Sequence, residues 1–380
     1  MRRLMPLPIS ALIGFFAAAL AGGALAESAK RNIPVLVPLT GFLSLEGTSQ
    51  RNGAELALLD AGSELGIQFE ISDTGTSPEV AVNAFVRALD DPDVIAVVAP
   101  MLGTQMLALL PLAEDFAVPM ITVSGTARIT ELGNPYVFRF FPGDAVVKQA
   151  HARYAVEELG ARRPAIVYQT TAYGQSGRRH LAETLTRLGS PPVLEEALDV
   201  SVKDMLPTLT KVRRSGADAL LLHLHSGPTA LVVRQAAAMA LGVPIVAGSA
   251  MHQPQTAALL EPPELAGVCA ESGSSPISGG DDRIERFTER YRATYGTEPD
   301  AFALGQYDAV TMVLAAIGEG ARTREAVREA LAGRHHRGLA MTYRSDGKGN
   351  MAHDALIICY DGESRVPRIV KRYENVTGLP

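Results

Sequence analysis

Ser124-Gly125-Thr126 places two hydroxyls around a glycine directly after an apolar run, Val118–Val123. A hydroxyl donates to a carboxylate or amide oxygen, and a glycine lets a ligand reach the backbone. The carboxyl end of a strand is where open α/β sheets hold ligands, so Ser124, Gly125 and Thr126 are expected to contact a ligand, Thr126 foremost. A turn closed by hydroxyl-to-backbone bonds is the plainer alternative. Pro100-Met101-Leu102-Gly103-Thr104 likewise leaves a strand and opens a helix. Free N–H groups at a helix start suit an anionic or carbonyl oxygen, and Thr104 fits equally as an N-cap. Thr170, Thr171 and Tyr173 follow the run Pro164–Tyr168, where a tyrosine can stack on a ligand and donate to it, or simply cover a helix start. His223 and His225 lie two apart at a strand end and so share a face. That pair invites a metal, but no third ligand has motif spacing and His252 is remote, so neither a metal nor another cofactor is expected.

Catalytic patterns are missing. No serine has the G-x-S-x-G context, and H-E-x-x-H, a phosphate loop and a dinucleotide glycine pattern are all absent. Gly174-Gln175-Ser176-Gly177 lacks nucleophile spacing, and Asp90-Asp91 and Asp281-Asp282 read as solvated helix boundaries. The chain is therefore not expected to be an enzyme. Its amino terminus has the pattern of a cleavable secretory leader over residues 1–26: Arg2 and Arg3, the apolar stretch Ile9–Leu20, then Ala24-Leu25-Ala26. Removing Arg2 and Arg3 from the 35 basic residues leaves 33 against 41 acids, a net charge of −8. That balance speaks against nucleic acid as a partner. No later segment reads as a membrane span. Cys269 and Cys359 lie in apolar runs, and export permits a disulfide between them, although two buried thiols fit as well.

Positioning these groups falls to alternating elements. Strand-like runs at Ile33–Pro38, Ile67–Ser72, Val94–Ala99, Val118–Val123 and Tyr136–Phe141 alternate with helical patterns at Thr48–Ala61, Pro78–Leu89 and Thr104–Phe116. That is βαβ punctuation, hence an α/β fold with a mostly parallel sheet. The alternation restarts at Asp144 and runs to Pro244–Ala247. About 350 residues exceed what one core usually serves, so two α/β lobes with a cleft between them are predicted.

These residues resemble a family, the periplasmic solute-binding proteins of branched-chain amino acid type ABC transporters, with the type I periplasmic binding fold. The likeness is carried by Pro38-Leu39-Thr40-Gly41 with Gly47 and Asn52-Gly53-Ala54-Glu55-Leu56-Ala57, by Pro119-Met120-Ile121-Thr122 before Ser124-Gly125-Thr126-Ala127, and by Tyr173-Gly174. It continues through Gly305-Gln306-Tyr307-Asp308-Ala309 to Tyr343-Arg344-Ser345-Asp346-Gly347-Lys348-Gly349. The resemblance implies two Rossmann-like lobes joined by a three-segment hinge: 27–142 with 272–342, and 143–271 with 343–380. It also implies a periplasmic protein that closes on a small-molecule solute and delivers it to a membrane ABC permease. Sensing for a membrane partner is the alternative use of the same fold, and a periplasmic hydrolase a more distant one.

For the site, the resemblance aligns Gly103 and Thr104 with a carboxylate-binding loop, where Gly103 offers only backbone in place of the relatives' serine. It puts Tyr173 where relatives set an aromatic over the solute and His225 where they often carry a tyrosine. Ser249, in Ala247-Gly248-Ser249-Ala250-Met251, stands where leucine/isoleucine/valine receptors carry an acid for the solute's ammonium group. Without that acid a buried ammonium would be unpaired at a cost of roughly 3–5 kcal/mol, so an amine-free carboxylate is the favoured solute, with an uncharged amide also compatible. Alternatively Ser249 is a turn residue and Glu46 or Glu271 supplies the charge.

Overall fold

Val35–Val37 is buried on both faces, as a strand flanked by helices requires, and it opens the first of two sheets. The computed structural model describes residues 30–277, 281–333 and 335–378; the predicted leader and Arg334 lie outside them. The first sheet contains β1 (Val35–Val37), β2 (Ile71–Asp73), β3 (Val97–Val98), β4 (Met120–Thr122) and β5 (Val137–Arg139), all parallel, in the order β2-β1-β3-β4-β5. Helices α1 (Ser44–Ala57), α2 (Pro78–Leu89) and α3 (Gly103–Asp115) connect them. The predicted first helix thus begins one turn earlier than Thr48. The predicted strand Ile67–Ser72 is two short ones, Ile67–Gln68 pairing with Arg31–Asn32 and Ile71–Asp73 pairing with β1.

After α4 (Asp144–Arg153) the second sheet is built from β6 (Pro164–Gln169), β7 (Leu194–Leu198), β8 (Ala219–His223), β9 (Ile245–Ala247) and β10 (Val268–Ser272). Its order is β12-β11-β10-β9-β8-β6-β7. The antiparallel edge is β11 (Ala355–Cys359) and β12 (Arg368–Tyr373). Helices α5 (Ala172–Arg187), α6 (Leu206–Arg214) and α7 (Ser226–Ala238) flank this sheet. Cys269 and Cys359 are register partners across β10 and β11 and form a disulfide.

Between β10 and β11 the chain returns to the first sheet through α8 (Asp282–Tyr295), α9 (Ala301–Gly318) and α10 (Arg324–Gly333). Of these three helices only the start of α8 was expected, from Asp281-Asp282 read as a helix boundary; Asp281 is its N-cap. Among the described residues α9 is the one helix long and apolar enough to cross a membrane, but most of it is buried inside the fold. The motif glycines explain how tightly it packs: a Cβ on Gly53 would lie 2.2 Å from the Ala303 carbonyl oxygen, and one on Gly305 3.0 Å from that of Phe140. Asp308 accepts from Leu339 N, Ala340 N and the Tyr343 hydroxyl. Tyr343, Met351 and Ala352 pack in the first sheet's core. The Asp308 cluster thus holds Tyr343 beside the first sheet, and Ala355 opens β11 in the second.

Candidate functional site

In both sheets, neighbouring strands diverge to opposite faces at their carboxyl ends, and such switch points form crevices. The first sheet switches between β1 and β3, the second between β6 and β8. The loops leaving these strands face one another around a small, largely enclosed cavity, the concave, mostly apolar kind of place where small molecules bind.

The loop after β1 is tied to Asp73, which accepts from Leu39 N (2.8 Å) and the Thr40 hydroxyl (2.7 Å). Gly41 has φ 86°, a left-handed conformation that favours glycine. A Cβ on Gly47 would sit 1.9 Å from the Pro38 carbonyl oxygen. This close seating turns the first turn of α1 inward, so that Leu43 and Glu46 line the cavity. After β4, the Gly125 and Thr126 carbonyls accept from Arg139, which also pairs with Asn350 of the late glycine-rich turn. The late motif thus braces the Ser124–Thr126 loop.

Tyr173 lies in the first turn of α5, capped by Thr171, whose hydroxyl accepts from Gly174 N. Its ring centroid is 3.8 Å from that of His223 and 5.2 Å from that of His225, which in turn lies 5.3 Å from Phe42. Burial pulls His225 down to about 4 and His223 well below its ordinary value, so both rings are neutral. His223 Nε2 donates to the Tyr173 carbonyl oxygen. The paired histidines therefore make an aromatic stack, and no metal-ligand cluster occurs among the described residues.

Four charged side chains are buried here. Lys148 Nζ donates to Glu271 Oε1 at 2.5 Å, and Glu271 also accepts from Ser249 N (3.1 Å) and Ser249 Oγ (2.9 Å). Asp144 differs: its backbone N–H donates to the Gly125 carbonyl, but neither carboxylate oxygen is within good hydrogen-bond geometry of a donor; His223 Nε2 lies 3.6 Å from Oδ1, and the Ser176 side chain is near enough to lower its pKa. Desolvation, opposed by the charge of Lys148, raises it to about 7. Glu46 Oε1 accepts from Ser226 N (2.9 Å) and the Ser226 hydroxyl (2.7 Å), while Oε2 has no partner. Desolvation raises Glu46 too, against those two bonds. Leu43, Met101, Leu102, Phe141, Val147 and Phe302 supply the apolar walls.

Of the residues singled out from sequence, Gly125, Tyr173, His225 and Ser249 line the cavity, while Gly103, Thr104, Ser124 and Thr126 do not. Gly103 begins α3 and Leu102 is its N-cap, so Thr104 does not cap the helix. A Cβ on Gly103 would fall 2.0 Å from Thr126 Oγ1: the Thr126 side chain fills the space that a serine at 103 would need. Ser249 spends its N–H and hydroxyl on Glu271. Glu271 therefore stands beside Ser249 with its carboxylate already taken by Ser249 and Lys148. Asp144, Lys148 and Arg139 were not picked out as site residues. Asp144 follows a strand by a few residues, and the carboxyl-end rule applied to β5 would have flagged it.

A family model described as periplasmic binding protein matches residues 30–362. An amino acid binding protein of Pseudomonas aeruginosa is 28% identical over 300 residues, 76% of this chain and 79% of that one. The leucine-, isoleucine-, valine-, threonine- and alanine-binding protein of the same species is 25% identical over 329 residues, 83% of this chain and 86% of its own. Among solved structures, a leucine binding protein from Thermotoga maritima matches with a TM-score of 0.82 at 24% identity, covering 90% of this chain and 98% of that one. A solute binding protein from R. palustris in complex with benzoate matches with a TM-score of 0.82 at 18% identity, over 90% of this chain and 96% of its own.

Proposed function

The chain belongs to the periplasmic binding protein family, and from that premise we propose that it is exported by cleavage after Ala26, captures a small solute between two lobes and hands it to an ABC permease. The lobes are 27–142 with 272–352, and 143–271 with 353–380. The observation that supports this reading is a cavity formed where the carboxyl ends of both sheets meet, with apolar walls and a few buried polar groups. Its lining comes from both lobes, so a solute held there bridges them and favours closure by its contacts to each. In this reading the protein acts by binding, as the periplasmic binding proteins of its family do. The contact residues of this reading are Gly125, Tyr173, His225 and Ser249, with Glu46 and Asp144.

The test is a thermal-shift panel on the purified, ligand-stripped protein, using amino acids, carboxylates and amides. A solute at ~1,000 times its dissociation constant stabilises the fold by about 4 kcal/mol. A responding solute recovered unchanged after incubation, with a fall in the scattering radius on binding, supports a receptor that closes. Chemical conversion of the solute, or binding without closure, would sink the reading.

A further inference from the structure

Of the two oxygens of Glu46, only one has a partner in the protein. Glu46 stands in the first turn of α1 with 2% of its surface exposed. Oε1 reaches across to the amino end of α7, accepting from the Ser226 N–H and hydroxyl. This is one contact in a buried polar seam. The Ser226 hydroxyl also lies 2.7 Å from Gln253 Oε1, and Gln253 Nε2 donates to Asp300 Oδ2 (2.6 Å), which the Ser49 hydroxyl also donates to (2.6 Å). Ser49 and Asp300 belong with the first sheet, Ser226 and Gln253 with the second. Oε2 of Glu46 is buried and without a partner, and Glu46 lines the cavity. Asp144, also lining the cavity, presents two more unpartnered acceptor oxygens.

We propose that Glu46 is the residue that selects the solute and ties its presence to lobe closure: Oε1 holds the start of α7, and Oε2, with Asp144, takes N–H donors from a solute whose polar end is an amine or amide on an apolar body. This rests on the receptor reading above and adds the solute's chemical class to it. A buried acceptor without a donor is unfavourable, and a donor-bearing solute supplies what these oxygens lack. The cations nearby give an anion no substitute. Lys148 is bonded to Glu271, and the Arg139 guanidinium is bonded to Asn350 and to the Thr126 carbonyl. Because one carboxylate serves both contacts, a solute that fixes Oε2 also fixes the side chain that holds Ser226.

Isopentylamine, isovaleramide and isovalerate share one five-carbon skeleton and differ only in the polar end. Calorimetric titration of the wild-type protein with all three is expected to rank isovalerate at least 100-fold weaker than the amine or the amide. Glu46→Gln keeps an acceptor for Ser226 but turns an NH2 group on the cavity; affinity for the amine and amide falls at least 10-fold while solute-free scattering and melting temperature stay near wild type. Ser226→Ala weakens all three probes by a similar factor and leaves their order intact. Isovalerate binding as well as or better than the other two overturns the class and leaves the receptor reading standing. Unchanged affinity in Glu46→Gln, or a changed probe order in Ser226→Ala, overturns the role of Glu46. Failure of all three probes to bind wild type overturns the class, and the thermal-shift panel decides the receptor reading separately.

Discussion

Glu271 and Asp144 are both fully buried, both line the cavity and come from adjoining elements, yet one has three donors on its carboxylate and the other has none. Glu271 with Lys148 and Ser249 is a finished piece of wall, whose charges and hydrogen bonds close on themselves. Asp144 is unfinished, and an unfinished buried acid is a demand on whatever enters. Composition alone would treat these as one acidic cluster. Counting donors separates the part that holds the fold from the part that is free to hold a solute.

The sharpest way to break the comparison is to unfinish the finished side. Lys148→Met leaves Glu271 buried with only the two Ser249 bonds, and denaturant unfolding is expected to show a loss of about 3–5 kcal/mol. Adding Glu271→Gln to that variant should recover most of it; no recovery would mean that Lys148 matters through packing alone.

On the other side, Asp144→Asn should stabilise the solute-free protein. An acid raised to about 7 in the fold binds its proton more tightly folded than unfolded. Its penalty is therefore absent below about pH 4 and grows as pH climbs to 7. Melting curves of wild type and Asp144→Asn should coincide near pH 4 and separate by at most about 4 kcal/mol, in favour of the variant, at pH 8. A variant less stable than wild type at pH 8 would show that Asp144 is paired after all.

Gly103→Ala tests the layer behind the cavity. Its new Cβ meets Thr126, 2.0 Å from Oγ1, for an expected loss of about 1–3 kcal/mol. Thr126→Ala in the same chain should return most of that; otherwise the backbone, not Thr126, is what requires glycine. The smallest effect belongs to the surface. Arg178 and Glu195 form a partly exposed ion pair, and Glu195→Ala should shift stability by less than about 1 kcal/mol, against the several expected at Lys148.

Strands with unbroken apolar runs, such as Leu220–Leu222 in β8, and helices with a proline at the start, such as Pro78 in α2, were legible because their signals are local. The family-like motifs were legible as well, but the work of several is structural. Gly53 seats α1 on α9, Asp308 gathers the turn before Tyr343, and Gly349 sits where a Cβ would lie 2.1 Å from the Val137 carbonyl oxygen. The site was harder to read. Gly125, Tyr173, His225 and Ser249 follow strands and stood out by position. Which acid faces solute and which faces lysine depends on contacts between residues 123 positions apart, Lys148 and Glu271, and no local pattern encodes such a pairing. Helix α9 escaped prediction because it is buried nearly all round, which removes the periodicity that marks an amphipathic helix.

The Cys269–Cys359 bridge joins the strand from which the chain departs for the first lobe to the strand on which it comes back. Everything from 270 to 358, including α8, α9 and α10, is thereby a ring with a covalent root in the second lobe. Two of the three connections between the lobes leave from that one root. If the receptor opens and shuts as proposed, the strain there falls on a sulfur bond as well as on the hydrogen bonds of an edge strand, and an oxidising compartment is what favours sealing the ring. A chain retained in the reducing cytosol would have the same cavity on a hinge lacking its rivet.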